Sequence, residues 1–112
     1  MTSVSTHAAW AILMVAGLLE IVWSSSMKAS VGFTKPLFAG ITLAAAGLSF
    51  WLLGLAMKAL PLGTAYAVWT GIGVVGAAVL GMVFFKEPTT PARILCIVAI
   101  AGGIIGLRLL HT

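Results

Sequence analysis

Residues 8–27, AAWAILMVAGLLEIVWSSSM, place a carboxylate, Glu20, inside a run that is otherwise fit to cross a bilayer. A helix rises 1.5 Å per residue, so about 20 apolar residues span the ~30 Å hydrocarbon core. An ionised carboxylate at that depth costs at least about 2.5–3.5 kcal/mol, and such residues face a bundle interior or a watery cavity. The chain has two acidic residues, and only Glu20 lies within an apolar run. It reads first as a functional site. The competing reading is a structural carboxylate, buried and hydrogen-bonded between helices, and the cost of intramembrane charge favours function over it.

The rest of the composition agrees with a membrane setting. The 112 residues are 62% hydrophobic and 7% charged, with a mean hydropathy of +1.21, which excludes an ordinary soluble domain. Six Lys+Arg against two Asp+Glu give a net charge of +4. These cations sit at the ends of apolar runs, where they anchor a span at the membrane surface. No basic stretch is interleaved with exposed aromatics, so nucleic acid is not an expected partner. Cys96 is the single cysteine and lies in the last apolar run, which rules out an intrachain disulfide and suggests packing. His7 and His111 lie near opposite termini without a cysteine or carboxylate cluster, so no metal site and no cofactor are expected. The first run is not read as a cleaved signal peptide, because no Lys or Arg precedes it and it carries Glu20.

Three further runs match the first: residues 36–57, 62–85 and 92–110. The expected fold is an all-α membrane protein, a single domain of four transmembrane helices over residues 1–112. The connections are short, at 28–35, 58–61 and 86–91. Thr90 before Pro91 reads as an N-cap and first helical position, and Gly32 and Pro36 punctuate the first connection. Alternating spans put Lys58 and Arg108 on one side of the membrane and Lys28, Lys35, Lys86 and Arg93 on the other. Two against four is a weak bias that permits both orientations. Four helices hardly enclose a translocation cavity, and the chain shows no convincing internal repeat. The two halves with which many transporters alternate access would then be two protomers of opposite topology, an antiparallel homodimer.

On the first span, Ala16, Gly17, Trp23 and Ser24 share the face of Glu20, three or four residues away. Small residues leave room there and Trp23 supplies a wall. The second span offers Ser49, which by itself reads equally as helix-to-helix glue. The third offers Tyr66, Trp69 and Thr70, with Gly63 and Gly73 on the same stripe. Depth does not decide between packing and a ligand wall for these aromatics. Gly71, Gly73 and Gly76 match GxGxxG, but that fingerprint needs a preceding strand, a helix starting at the glycines and an acidic residue about 20 positions on. Here the glycines interrupt an apolar span, and close packing or a flexible point suits them better. In the fourth span Gly102 and Gly106 form a small-xxx-small pair, with Gly103 beside them, and this span is assigned to dimerisation. Arg108 and Lys28 are snorkelling anchors.

AGLLEIVW, MKAS-VGFTKP, SFWLLGLAMKALPLGTAYAVWTGIGVVGA and the GGIIGLRLL tail together resemble the small multidrug resistance family, and within it the guanidinium-exporting branch. The resemblance covers essentially the whole chain, and its third segment is highly specific. It implies a dual-topology antiparallel homodimer in a bacterial inner membrane that exchanges protons for a cation, with Glu20 of each protomer as the shared binding carboxylate. In the family a Trp three residues after the central glutamate marks the guanidinium branch, where the quaternary ammonium branch carries Gly; this chain has Trp23, and Lys58 before Ala-Leu-Pro points the same way. By position, Ser49 and Trp23 would orient Glu20, Trp69 would border the site, Tyr66 would link the protomers at the dimer cavity and Gly17 would allow close approach beside the carboxylate. Ser24-Ser25-Ser26 departs from the apolar stretch usual after the Trp, with hydroxyls that bear on which substituted guanidinium fits. Leu95 stands where multidrug members carry a glycine, so the dimer seam packs differently.

Guanidinium is a planar cation whose N–H groups pair with a carboxylate in the fork geometry of arginine. Proton and substrate would compete for Glu20. If access changes only when the carboxylate is neutralised by one or the other, competition becomes antiport. The alternatives are a broader quaternary ammonium exporter, a cation channel, and a non-transporting subunit in which Glu20 pairs with a partner's intramembrane base; none of these is an enzyme.

Overall fold

The computed structural model describes residues 5–110, in which the regular elements are α1 (Thr6–Ala29), α2 (Pro36–Ala56), α3 (Leu62–Phe84) and α4 (Pro91–Leu110). With 24, 21, 23 and 20 residues, all four are long and apolar enough to cross a membrane. His111 lies outside the described residues.

Local chemistry sets the helix ends. Ser5 caps α1 by accepting a hydrogen bond from the Ala8 N–H at 3.1 Å, so the helix starts before the apolar run that marks it. It also runs on past Met27, because Lys28 and Ala29 continue the helical backbone with the cation favourably placed in the last turn. Buried Ser30 then closes the turn. Its hydroxyl donates to the Met27 carbonyl at 2.7 Å and accepts from the Phe33 N–H at 3.0 Å, while its carbonyl accepts from Thr34 and Lys35. These bonds hold Val31, Gly32 and Phe33 at φ of 50°, 68° and 65°. Only the glycine adopts that left-handed geometry without steric cost. Pro36 begins α2, where its missing N–H is harmless. Thr90 caps α4 by accepting from the Arg93 N–H at 3.3 Å, ahead of Pro91.

α1 lies between α2 and α3, and the backbone of α4 approaches α3 alone. The stripe Ala9, Leu13, Ala16 of α1 packs with Ser49, Leu53 and Ala56 of α2 and Ala65, Val68 and Trp69 of α3. Lipid tails are as apolar as leucine, so close packing and interhelical hydrogen bonds hold such helices together rather than water exclusion. Glycines provide the closeness. A Cβ on Gly17 would overlap the Ile72 side chain, one on Gly76 would overlap Ile21, and one on Gly71 would overlap Ile104 of α4. α3 thus seats α1 on one face and α4 on another. α4 buries none of its residues, although its Arg108 guanidinium lies 4.9 Å above the Trp10 ring. The Cα extents are 41 × 36 × 16 Å, a slab with little interior.

The α3–α4 connection is folded back against α3. Lys86 takes φ 56°, the Glu87 N–H donates to the Gly81 carbonyl at 3.0 Å, and the Glu87 carboxylate rests where a Gly81 side chain would stand. Arg93 of α4 then donates through Nη2 to Glu87 Oε1 at 2.6 Å.

Candidate functional site: an intramembrane carboxylate

Glu20 continues the stripe that buries Leu13, Ala16 and Gly17, one turn further along α1. Its carboxyl group lies directly against Gly73 of α3, in the space a Cβ there would need. Oε1 is buried and accepts no hydrogen bond from the described residues, and the ion pair found among them is Arg93–Glu87, at a helix end. Among the described residues, no cation pairs with this acidic group inside the span.

Ser49 fixes the backbone one turn before that group. Its hydroxyl donates to the Ala16 carbonyl at 2.7 Å and accepts from Trp69 Nε1 at 3.0 Å, so a single buried atom joins α1, α2 and α3. The Ser49 hydroxyl proton is thus spent on the α1 backbone, one turn from Glu20. Interhelical bonds of this kind contribute about 0.6–2 kcal/mol each in a membrane.

A row of rings extends across the three helices. Trp23 meets Phe50 edge-on at 6.2 Å between centroids, Phe50 meets Trp69 at 5.7 Å, and Trp69 meets Tyr66 at 5.5 Å. Trp69 is buried, whereas Phe50 and Tyr66 are exposed on the bundle's flank. Trp23 Nε1 and Thr70 Oγ1 are buried polar atoms without a hydrogen-bond partner in the described chain. Phe50 bridges Trp23 and Trp69, and sequence reasoning missed it. Its one signal is adjacency to Ser49, a signal that Trp51, 62% exposed, nearly shares.

The other expected residues fall in several places. Gly17 packs on Ile72, on the same side of α1 as Glu20. Ser24 lies a turn beyond Glu20, in a cavity with Ser25, Lys28 and Glu87. α3 is continuously helical through Gly71, Gly73 and Gly76, which serve as seats for Ile104, Glu20 and Ile21. Gly102, Gly103 and Gly106 meet nothing within 4 Å, so that stretch of α4 is open. Leu95 and Cys96 are also exposed.

Four spans and a half-buried carboxylate within one of them define a small multi-pass membrane protein. The sequence model described as Small Multidrug Resistance protein matches residues 8–100, and the chain belongs to that family. A relative named Guanidinium exporter from Yersinia pseudotuberculosis serotype I (strain IP32953) is 54% identical over 101 residues, covering 90% of this chain and 97% of the relative. Relatives of the same name from Citrobacter freundii and Salmonella typhimurium are 51% identical over 100 residues, covering 89% of this chain and 95% of theirs. Family and apolar helices together make this a multi-pass protein of the bacterial inner membrane.

Proposed function

We propose that this protein exports guanidinium or a substituted guanidinium in exchange for protons, with both competing for Glu20. The observation that carries the reading is the seating of Glu20 on Gly73, with a buried oxygen that no group of the described chain engages. Relatives at 51–54% identity named for guanidinium export support the substrate class. Guanidinium offers coplanar N–H donors to a carboxylate and a flat face to aromatic rings. Trp23, Phe50, Trp69 and Tyr66 form a row of rings across α1, α2 and α3, and Ser49 ties Trp69 to the α1 backbone one turn before Glu20.

The working unit is a homodimer with protomers in opposite orientations. The slab shape supports this, because one protomer has no enclosed passage while its ring-bearing flank and α4 lie open. Neutralisation of Glu20 by either ligand permits the change of access, and α3 bends at Gly71, Gly73 and Gly76 as it occurs.

The test uses liposomes that contain only this protein. An inward proton gradient drives countermovement of labelled guanidinium, and Glu20→Gln abolishes it while the protein still inserts and dimerises. Guanidinium affinity weakens as the pH falls, by at most about tenfold per unit for one shared carboxylate. Retained proton-driven transport in Glu20→Gln would refute the reading. Guanidinium also outcompetes tetramethylammonium, which has no N–H to offer; the reverse ranking would move the protein to the quaternary ammonium class.

A further inference from the structure

α1 and α4 both pack on α3, but their backbones do not meet, which leaves a furrow between them. Two cavities of about 400 and 290 Å³ lie in it, with Ile104 and Ile105 of α4 as a shared wall. The first opens between Trp10 and Met14 of α1 and Arg108 and Leu109 of α4, over a floor of Val68; the second continues past Ile72 and Val75 to Ala101. Arg108 is the one charged residue in either lining. Along α3 the furrow runs from Val68 to Gly76, about 12 Å, close to the depth of one leaflet of a ~30 Å hydrocarbon core. Val68 and Val75 project on the side of α3 opposite Tyr66, and neither Glu20 nor any ring of the aromatic row lines the furrow.

We propose that this furrow binds an anionic phospholipid, with one acyl chain laid between α1 and α4 and the headgroup phosphate held by Arg108. An arginine at the end of a span ordinarily extends its head into water. Arg108 instead holds its guanidinium 4.9 Å above the ring of Trp10, a core residue only 6% exposed, which fixes the charge at the mouth of the furrow. The ring takes one face of the planar group, and the N–H edge is left for the paired oxygens of a phosphate. Arg108 is itself exposed. Among the described residues the one ion pair joins Arg93 to Glu87, so no carboxylate competes with the phosphate there.

Charge at this end of the bundle selects the headgroup. α1 and α3 start here and α2 and α4 end here, which brings Lys58 and Arg108 to one membrane face. The two acidic residues lie elsewhere, Glu20 within α1 and Glu87 at the opposite face. A zwitterionic headgroup would carry its own ammonium into this surplus of positive charge, whereas an anionic one offsets it. The furrow also stands clear of the glycines of α4. Gly102 and Gly106 each follow a furrow residue, Ala101 and Ile105, by one position, or about 100° round the helix, so a second copy seated on the glycines lies beside the lipid.

The test uses the full-length protein, delipidated in mild detergent, with native mass spectrometry to titrate phosphatidylglycerol and phosphatidylcholine of identical chains. Phosphatidylglycerol should bind about tenfold more tightly. Arg108→Gln should bring the two lipids within about twofold of each other, while Lys58→Gln, at the same face but outside the furrow, should keep most of the preference. Ala11 lines the first cavity, so Ala11→Trp fills the furrow with Arg108 intact and should weaken both lipids. Equal losses in Lys58→Gln and Arg108→Gln, or native binding in Ala11→Trp, would overturn the inference, because the contact would then be a diffuse attraction to a basic face. Displacement of the lipid by inorganic phosphate would overturn it too, as would a fall to monomer in lipid-free Arg108→Gln, which would make the furrow a seat for a second copy. Should Ala11→Trp fail to fold by circular dichroism, Ile105→Trp fills the furrow from the other wall.

Discussion

Gly73 is the position at which one methyl group asks the most of this site. A Cβ there would overlap the Glu20 carboxyl group, which is the far end of a side chain and so moves before the helix does. Gly73→Ala should therefore weaken guanidinium binding by about tenfold or more, a loss of about 1.4 kcal/mol or above, with helix content unchanged by circular dichroism. Gly63→Ala, which meets nothing within 4 Å, should leave binding alone. Ser49→Ala removes both an interhelical donor and the acceptor of Trp69 Nε1. A buried donor left without its acceptor costs about 1–3 kcal/mol, so thermal stability should fall and guanidinium affinity with it, whereas any residual tetramethylammonium binding should suffer less; unchanged guanidinium affinity would remove Ser49 from the account. Glu20 was legible because charge in an apolar run is conspicuous on its own. The partners of Ser49 emerge only in the folded chain, since a serine gluing helices and a serine holding a site read alike in sequence. Phe50 had only its adjacency to Ser49 to mark it, because a ring facing lipid and a ring joining two tryptophans have identical hydropathy.

At the scale of elements, hydropathy and caps located the spans, and what escaped them was how the ends are fastened. Val31 and Phe33 are held in left-handed geometry by the hydrogen bonds around Ser30, a local network that overrides their own preference. Glu87 lies in a short connection, yet it ties α4 to the end of α3 through Gly81 and Arg93. That tie matters because α4 has no buried residue of its own to hold it. The two side chains are 41% and 36% exposed, so the pair contributes only about 0.2–1 kcal/mol after solvent screening. Glu87→Gln and Arg93→Gln should each lower the melting temperature slightly in detergent and loosen a cysteine cross-link engineered between the end of α3 and the start of α4. Charge exchange, Glu87→Arg with Arg93→Glu, should restore much of the cross-linking, and equal loss in the single and exchanged variants would show that the charges do not couple.

For the whole molecule, the slab of 41 × 36 × 16 Å leaves the proposed second protomer to complete any passage. With two cations on one side and four on the other, tagged termini should be found on both faces of the membrane. Lysines added to one set of connections should force a single orientation and abolish transport, and two oppositely biased variants expressed together should recover it; a uniform native orientation would argue against antiparallel pairing. Gly102→Leu with Gly106→Leu should shift the particle toward monomer by light scattering, because both glycines lie on the open stretch of α4. One further consequence lies in the double duty of α3. Gly73 bears the carboxylate and Gly71 bears Ile104 of α4, and residues two apart project on nearly opposite sides of a helix. Turned about its axis, such a helix would work as a camshaft. A turn of about 20° about its axis would carry the two glycines some 0.8 Å in opposing directions on a backbone radius of about 2.3 Å, so shifting the carboxylate's seat would slide the seat of Ile104 in the same stroke.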